Sequence, residues 1–190
     1  MLRVAGLGWM VVNAWTGPKL DKDSIIQTLL FHDIAKPVTF DLSKQAEFGL
    51  SSDRLEKLKQ DTNYLVHHYG SDEHQVALKI FQEIGLSPES QRLIENLEWH
   101  YTDDLIKKND LSALITIYSD MRIGPQGLLL IKQRVLELHS RMPIQNLTER
   151  LDSADRLEAI IAQNTDIDLT KISAQSIEVL AKQFEQKQVG

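Results

Sequence analysis

The sequence predicts an all-α bundle with a C-terminal helical extension, and three observations predict it. β-Branched and aromatic residues are scattered, with no recurring apolar/polar alternation of the kind a half-buried strand needs. Apolar residues recur at helical spacing instead. Gly, Pro and Ser/Asp clusters break the pattern into segments of helix length, several opening on a capping residue.

The first helix is expected from about Leu2 to Ala14, stopped by Thr16-Gly17-Pro18. Its stretch Val4–Val12, VAGLGWMVV, lacks the charged lead and small-residue cleavage site of a signal peptide, so it reads as a buried helix and suggests that the chain starts inside a helix. The second starts near Asp23-Ser24, turns Ile25, Ile26, Leu29 and Leu30 inward, and ends at Lys36-Pro37 because a residue before proline disfavours helical backbone. Residues 38–50 read as an irregular loop. Ser52 opens a third helix to about His68, broken by Tyr69-Gly70-Ser71. Ser71-Asp72-Glu73 caps a fourth, which Gly85 closes. Ser87-Pro88-Glu89, a cap followed by proline at the first helical position, opens a fifth that runs to about Trp99. A sixth spans Leu111 to Met121, a seventh Leu128–Met142, an eighth about Leu147 to Ala162 and the last Ala174 to Lys187. The stretch from Pro143 onward is more polar, which divides the chain into a helical domain of residues 1–142 and an extension of residues 143–190.

Composition excludes several classes. A chain of 190 residues with 42% hydrophobic content can bury a core, and with no cysteine it has neither disulfides nor thiol chemistry. That absence fits a reducing, cytoplasmic location. The net charge of −6 argues against strong, sequence-independent binding to duplex nucleic acid, which runs on dense Lys/Arg patches. No apolar run reaches the length needed to cross a membrane.

The chemistry gathers at helix ends. His32-Asp33 ends a strongly apolar helix, and adjacent helical side chains point about 100° apart, so one ion between them can touch both. Imidazole nitrogen with carboxylate oxygen suits divalent transition metals. A lone His-Asp pair is more often a helix-end histidine beside a capping or surface aspartate, but three further residues shift that balance. His74 falls in the first turn of the fourth helix and His100 closes the fifth in Trp99-His100-Tyr101. Asp120 lies late in a helix otherwise rich in Leu and Ile, where a carboxylate is costly without a partner. Lys36, three residues after Asp33, shares its face and can meet a phosphate oxygen; Arg122, two after Asp120, can do the same, although cations at helix ends are often structural. His67-His68 reads as a partly exposed pair at a loop and His139 as solvated. The three tryptophans read as core aromatics.

Phe31-His32-Asp33-Ile34-Ala35-Lys36 resembles the signature of the HD superfamily of metal-dependent phosphohydrolases. Glu73-His74-Gln75-Val76, Trp99-His100-Tyr101-Thr102 and Tyr118-Ser119-Asp120 are similar, in order, to the family's later ligand segments. The resemblance covers about Val4 to Arg122. It implies a compact HD-type helical bundle and one or two divalent ions (Mn, Fe, Co, Ni or Mg). His32, Asp33 and Asp120 would hold one ion, and Asp33, His74 and His100 a second, with Asp33 bridging. It implies hydrolysis of a phosphate ester or anhydride of a small phosphorylated substrate, a nucleotide by preference, by metal-activated water, with Asp33 sharing the nucleophile's proton. The family pattern opens with a histidine one helix earlier; this chain has none before His32, and the counterpart position is expected at or just ahead of Met1. Two other readings remain open: a catalytically impaired nucleotide-binding or signalling module, and a helical scaffold that forms homo-oligomers.

Overall fold

The computed structural model describes residues 1–43 and 49–186. They form ten α-helices and one two-stranded hairpin, an all-α bundle as the sequence predicts. The helices are α1 (Leu2–Asn13), α2 (Lys22–Phe31), α3 (Ser52–Tyr69), α4 (Glu73–Glu83), α5 (Pro88–Glu95), α6 (Thr102–Lys108), α7 (Leu111–Arg122), α8 (Ile131–Arg141), α9 (Leu147–Gln163) and α10 (Ala174–Gln186). The hairpin pairs β1 (Ile123–Gly124) with β2 (Gly127–Leu128).

Two helices run through the centre. α7 buries ten of its residues, Leu114, Ile115, Ile117 and Tyr118 among them, and only the side chain of Asp120 breaks this lining near its C-terminal end. α1 is buried along nearly its whole length because its glycines let neighbours approach closely. A Cβ at Gly6 would press on the Ile177 carbonyl oxygen of α10, and one at Gly8 would overlap Leu29 of α2 and crowd Ser119 of α7. The Gly8 contact brings the helix that carries His32 against the helix that carries Asp120. α2 is docked on α5 by hydroxyls rather than bulk: Ser24 Oγ meets Ser87 Oγ at 2.7 Å, and Thr28 Oγ1 donates to the Ser24 and Ser90 carbonyls. Small hydroxyl side chains satisfy one another there and permit close approach.

Several expectations are corrected. α2 stops at Phe31, and residues after it tighten into i→i+3 turns (Ile34 N–H to Phe31 O, Lys36 N–H to Asp33 O) that lead into a 3₁₀ turn at Lys36–Thr39. Pro37 supplies no N–H and fits such a short, open-ended turn. Val38 and Thr39 therefore belong to that turn rather than to a loop; residues 44–48 of the expected loop, and Lys187 of the last helix, lie outside the described residues. α5 ends at Glu95, four residues before the expected Trp99. Two elements are not anticipated by the sequence: α6, capped by Asn109 in the left-handed conformation (φ 53°), and the β1–β2 hairpin.

The segment from Pro143 onward is not a separate appendage. Leu157 and Ile161 of α9, Leu169, Ile172 and Ile177 pack in one core with Val4, Leu7 and Leu114. The ends of α1 and α9 are stitched by Thr16 N–H to Asn164 O at 2.8 Å and Asp166 N–H to Ala14 O at 3.0 Å. The polar composition of the segment reflects amphipathic helices with one buried stripe, which suffices to complete a core. A smaller cluster, Ala35, Val76, Ala77, Ile80, Phe81 and Ile94, lies beneath the HD turn and holds α4 against α5.

Candidate functional site

A cavity of about 440 Å³ opens where four helices end, lined among others by His32, Asp33, Lys36, Glu73, His74 and Asp120. His32 is the fixed point. Its side chain is 5% exposed, and its Nδ1 lies 2.8 Å from the Leu29 carbonyl oxygen, one turn back on α2. A carbonyl only accepts, so Nδ1 carries the proton there, and the neutral ring keeps its lone pair on Nε2. Nε2 faces two carboxylates, Asp120 Oδ1 at 3.2 Å and Asp33 Oδ2 at 3.4 Å. Both are about half-exposed toward the cavity. The tightened turn after Phe31 brings Asp33 round to the side of His32, and the Gly8 contact brings Asp120 in from α7, 87 residues away in the chain.

Electrostatics follow from this packing. Burial alone would pull the His32 pKa down, but the imidazolium's hydrogen bonds to Asp120 and Asp33, together with the charge of the two carboxylates, outweigh it and raise the imidazole to about 9. The hydrogen bond from His32 holds the Asp33 carboxyl below the usual carboxylate range against the opposing effect of burial, with Lys36 and the chain's amino terminus adding smaller attractions. Lys36 reaches across to Glu73 Oε1 at 3.3 Å. Glu73 opens α4, where Asp72 caps the helix by accepting the Gln75 N–H at 2.9 Å, and His74 follows one residue later.

The structure thus brings His32, Asp33, Lys36, His74 and Asp120 to one cavity and leaves two expected residues out. His100 does not line it. Its Nδ1 lies 3.0 Å from Glu98 Oε2, and its ring belongs to a second cavity, because α5 ends early and a 3₁₀ turn at Trp99–Tyr101 carries the side chain past the site. Arg122 does not reach it either. It is 1% exposed, donates to the Leu129 and Leu169 carbonyls and to the Tyr118 hydroxyl, and stacks on the Tyr118 ring, so it ties α7 to the hairpin and to the turn before α10 rather than meeting a phosphate. Burial in turn pushes the Tyr118 phenol up to about 12, which keeps it neutral. Glu98 lines the cavity beside the expected residues and went unnoticed in the sequence, where nothing sets it apart from other glutamates on polar turns. His139, expected in solvent, accepts the Ile144 N–H on Nδ1 at 2.9 Å. His67 and His68 close α3, with His68 stacked on Tyr64.

No group of three or more His, Asp or Glu side chains among the described residues stands arranged to hold an ion as it is. The donor chemistry nonetheless fits one. A buried imidazole is fixed through Nδ1 by a backbone carbonyl, with Nε2 facing two carboxylates, and such a second-side hydrogen bond orients histidine ligands. The carboxylates close on the imidazole as hydrogen-bond acceptors and would have to turn toward a shared cation.

No family model matches the chain, no curated protein matches it, and no solved structure matches it.

Proposed function

We propose that this chain is a metal-dependent phosphohydrolase of the HD type, acting on a small phosphorylated substrate such as a nucleotide. The observation that carries the reading is the meeting of His32, Asp33 and Asp120 at one polar cavity, with Nδ1 held by the Leu29 carbonyl so that Nε2, once its proton is displaced, faces the site between two carboxylates. The ordered likeness of the HDIAK segment and of the later His74 and Asp120 segments to that family adds to it. His32, Asp33 and Asp120 would hold a divalent cation, and His74 lines the same cavity as a further donor. One ion suits this arrangement better than two, because His100 is engaged with Glu98 at another cavity.

Such an ion supplies Lewis acidity toward a phosphoryl oxygen and makes a neighbouring water more acidic. The chain's own residues do the rest. Asp33 and Asp120 are acceptors for the proton that a water loses as its oxygen attacks phosphorus, and the leaving oxygen departs with a proton from solvent. Lys36 leaves Glu73 to place its ammonium against phosphoryl oxygens, where charge builds in the transition state. His32, held by Leu29, keeps both carboxylates in register.

The test is metal uptake and turnover. Metal-free protein is loaded with Mn²⁺, Fe²⁺, Co²⁺, Ni²⁺ or Mg²⁺, its metal content is measured, and it is assayed against nucleoside mono-, di- and polyphosphates and cyclic nucleotides. About one ion per chain, lost together with phosphate release in His32→Ala and Asp120→Ala, supports the reading. No uptake of any of the five ions refutes it. Uptake and nucleotide binding without phosphate release favour the non-catalytic module instead.

A further inference from the structure

A second cavity, also about 440 Å³, lies between the 3₁₀ turn at Trp99–Tyr101, the end of α7, and the α8–α9 corner. It shares only Glu98 with the cavity that holds His32. Its walls are apolar: Trp99, Met121, Val135, Leu138, Met142 and Ile144. Met142 stands at its rim 73% exposed. The corner is built rather than loose. Ile144 N–H is held by His139 of α8, and Asn146 turns the chain into α9 in the left-handed conformation at φ 57°.

The charges at this cavity differ in one respect. Glu98 is engaged by His100 at 3.0 Å, and Arg141 is engaged by Glu137 at 2.7 Å. Arg150, half-buried in the lining, gives its backbone N–H to the Asn146 carbonyl, but its guanidinium makes no ion pair or hydrogen bond with any described residue. An unpaired guanidinium against an apolar wall is complementary to an anion that brings an apolar body with it.

We propose that this cavity binds an amphipathic monoanion, a carboxylate on a medium-length alkyl chain, with the alkyl chain among Met121, Leu138 and Ile144 and the carboxylate on Arg150. The assignment is independent of the phosphate chemistry at His32. A bidentate guanidinium–carboxylate pair in a partly desolvated site makes the charge the larger determinant of which ligand enters, and the apolar walls set its length.

The experiment uses the full chain. Decanoate is titrated by calorimetry and, in parallel, by displacement of 8-anilinonaphthalene-1-sulfonate, read through energy transfer from tryptophan. One site per chain is expected, with decanol and decyltrimethylammonium at least about tenfold weaker than decanoate, given the strength of a charge-assisted hydrogen bond. Arg150→Gln weakens decanoate by about tenfold, Arg150→Lys restores part of the loss, and Met142→Glu, a change at an exposed rim position, repels the carboxylate without altering the melting temperature. Three results overturn the proposal: decanol binding as tightly as decanoate, full affinity in Arg150→Gln, or a dimer, seen by sedimentation, that forms with rising protein concentration and excludes decanoate from the cavity. Phosphohydrolase activity is not part of the readout, so its absence leaves the result intact.

Discussion

Replacing Asp120 with Asn removes one of the two carboxylates that face His32 Nε2 while keeping the side chain's shape. In metal-free protein the imidazole is held at about 9 against an ordinary value of 6.5. A raised imidazole pKa stabilises the fold while the ring is protonated. The benefit is complete below about pH 6.5 and is lost as pH climbs to about 9. The span corresponds to about 3 kcal/mol. For a chain of this size that is about 6–12 °C of melting temperature. Asp120→Asn is expected to lose roughly half of it, since Asp33 still faces the ring. The variant therefore melts several degrees below the parent at pH 6, and the gap closes or reverses by pH 9.5, where the parent's neutral ring no longer offsets two carboxylates. Differential scanning calorimetry in a chelator measures the gap, and the His32 ring-proton resonance followed by NMR against pH gives the midpoint directly. A midpoint near 6.5, or a gap that widens with pH, would refute the reasoning.

Metal binding should be linked to the same proton: with one proton displaced from His32, affinity for Mn²⁺ rises about tenfold per pH unit below pH 9, and calorimetry in buffers of different ionisation enthalpy reports about one proton released. His100→Ala should leave metal content unchanged, since that ring is engaged with Glu98 at the other cavity, whereas a loss equal to that of His32→Ala would return His100 to the ligand set. Arg122→Met should unfold at lower urea, with a loss on the order of 3–5 kcal/mol, because the Leu129 and Leu169 carbonyls and the Tyr118 hydroxyl lose their donor; residual folded protein should keep an unchanged KM. Lys36→Met, at an exposed ion pair, should leave the melting temperature within about a degree yet raise KM for a phosphorylated substrate by about tenfold.

The HD turn shows how far local rules reach. That His32 and Asp33 close an apolar helix follows from Ile25, Ile26 and Leu29 before them and Pro37 after them, and the structure puts them there, though in a tighter turn than expected. Asp120 was legible for a different reason. A carboxylate on a helix of Leu and Ile needs a partner, and the sequence shows the need without showing the partner. Arg122, two residues on, carried the same signal with the opposite outcome. Besides the Tyr118 hydroxyl and Glu158, its acceptors are backbone carbonyls at residues 129 and 169, and backbone carbonyls leave no trace in residue identity. His100 falls elsewhere because α5 stops four residues early, so a 3₁₀ turn at Trp99–Tyr101 rather than the helix sets where its side chain goes.

By itself the sequence determined nine of the ten α-helices described, most of their ends, and the residue types able to bind a cation, because periodicity and capping act over a single turn. Only the tertiary structure decided which helix ends share a cavity, that Arg122 is a buried tie, and that the segment after Pro143 completes the core. Those outcomes depend on close approach at Gly6 and Gly8 and on acceptors far along the chain, and such long-range packing is a property of the assembled bundle.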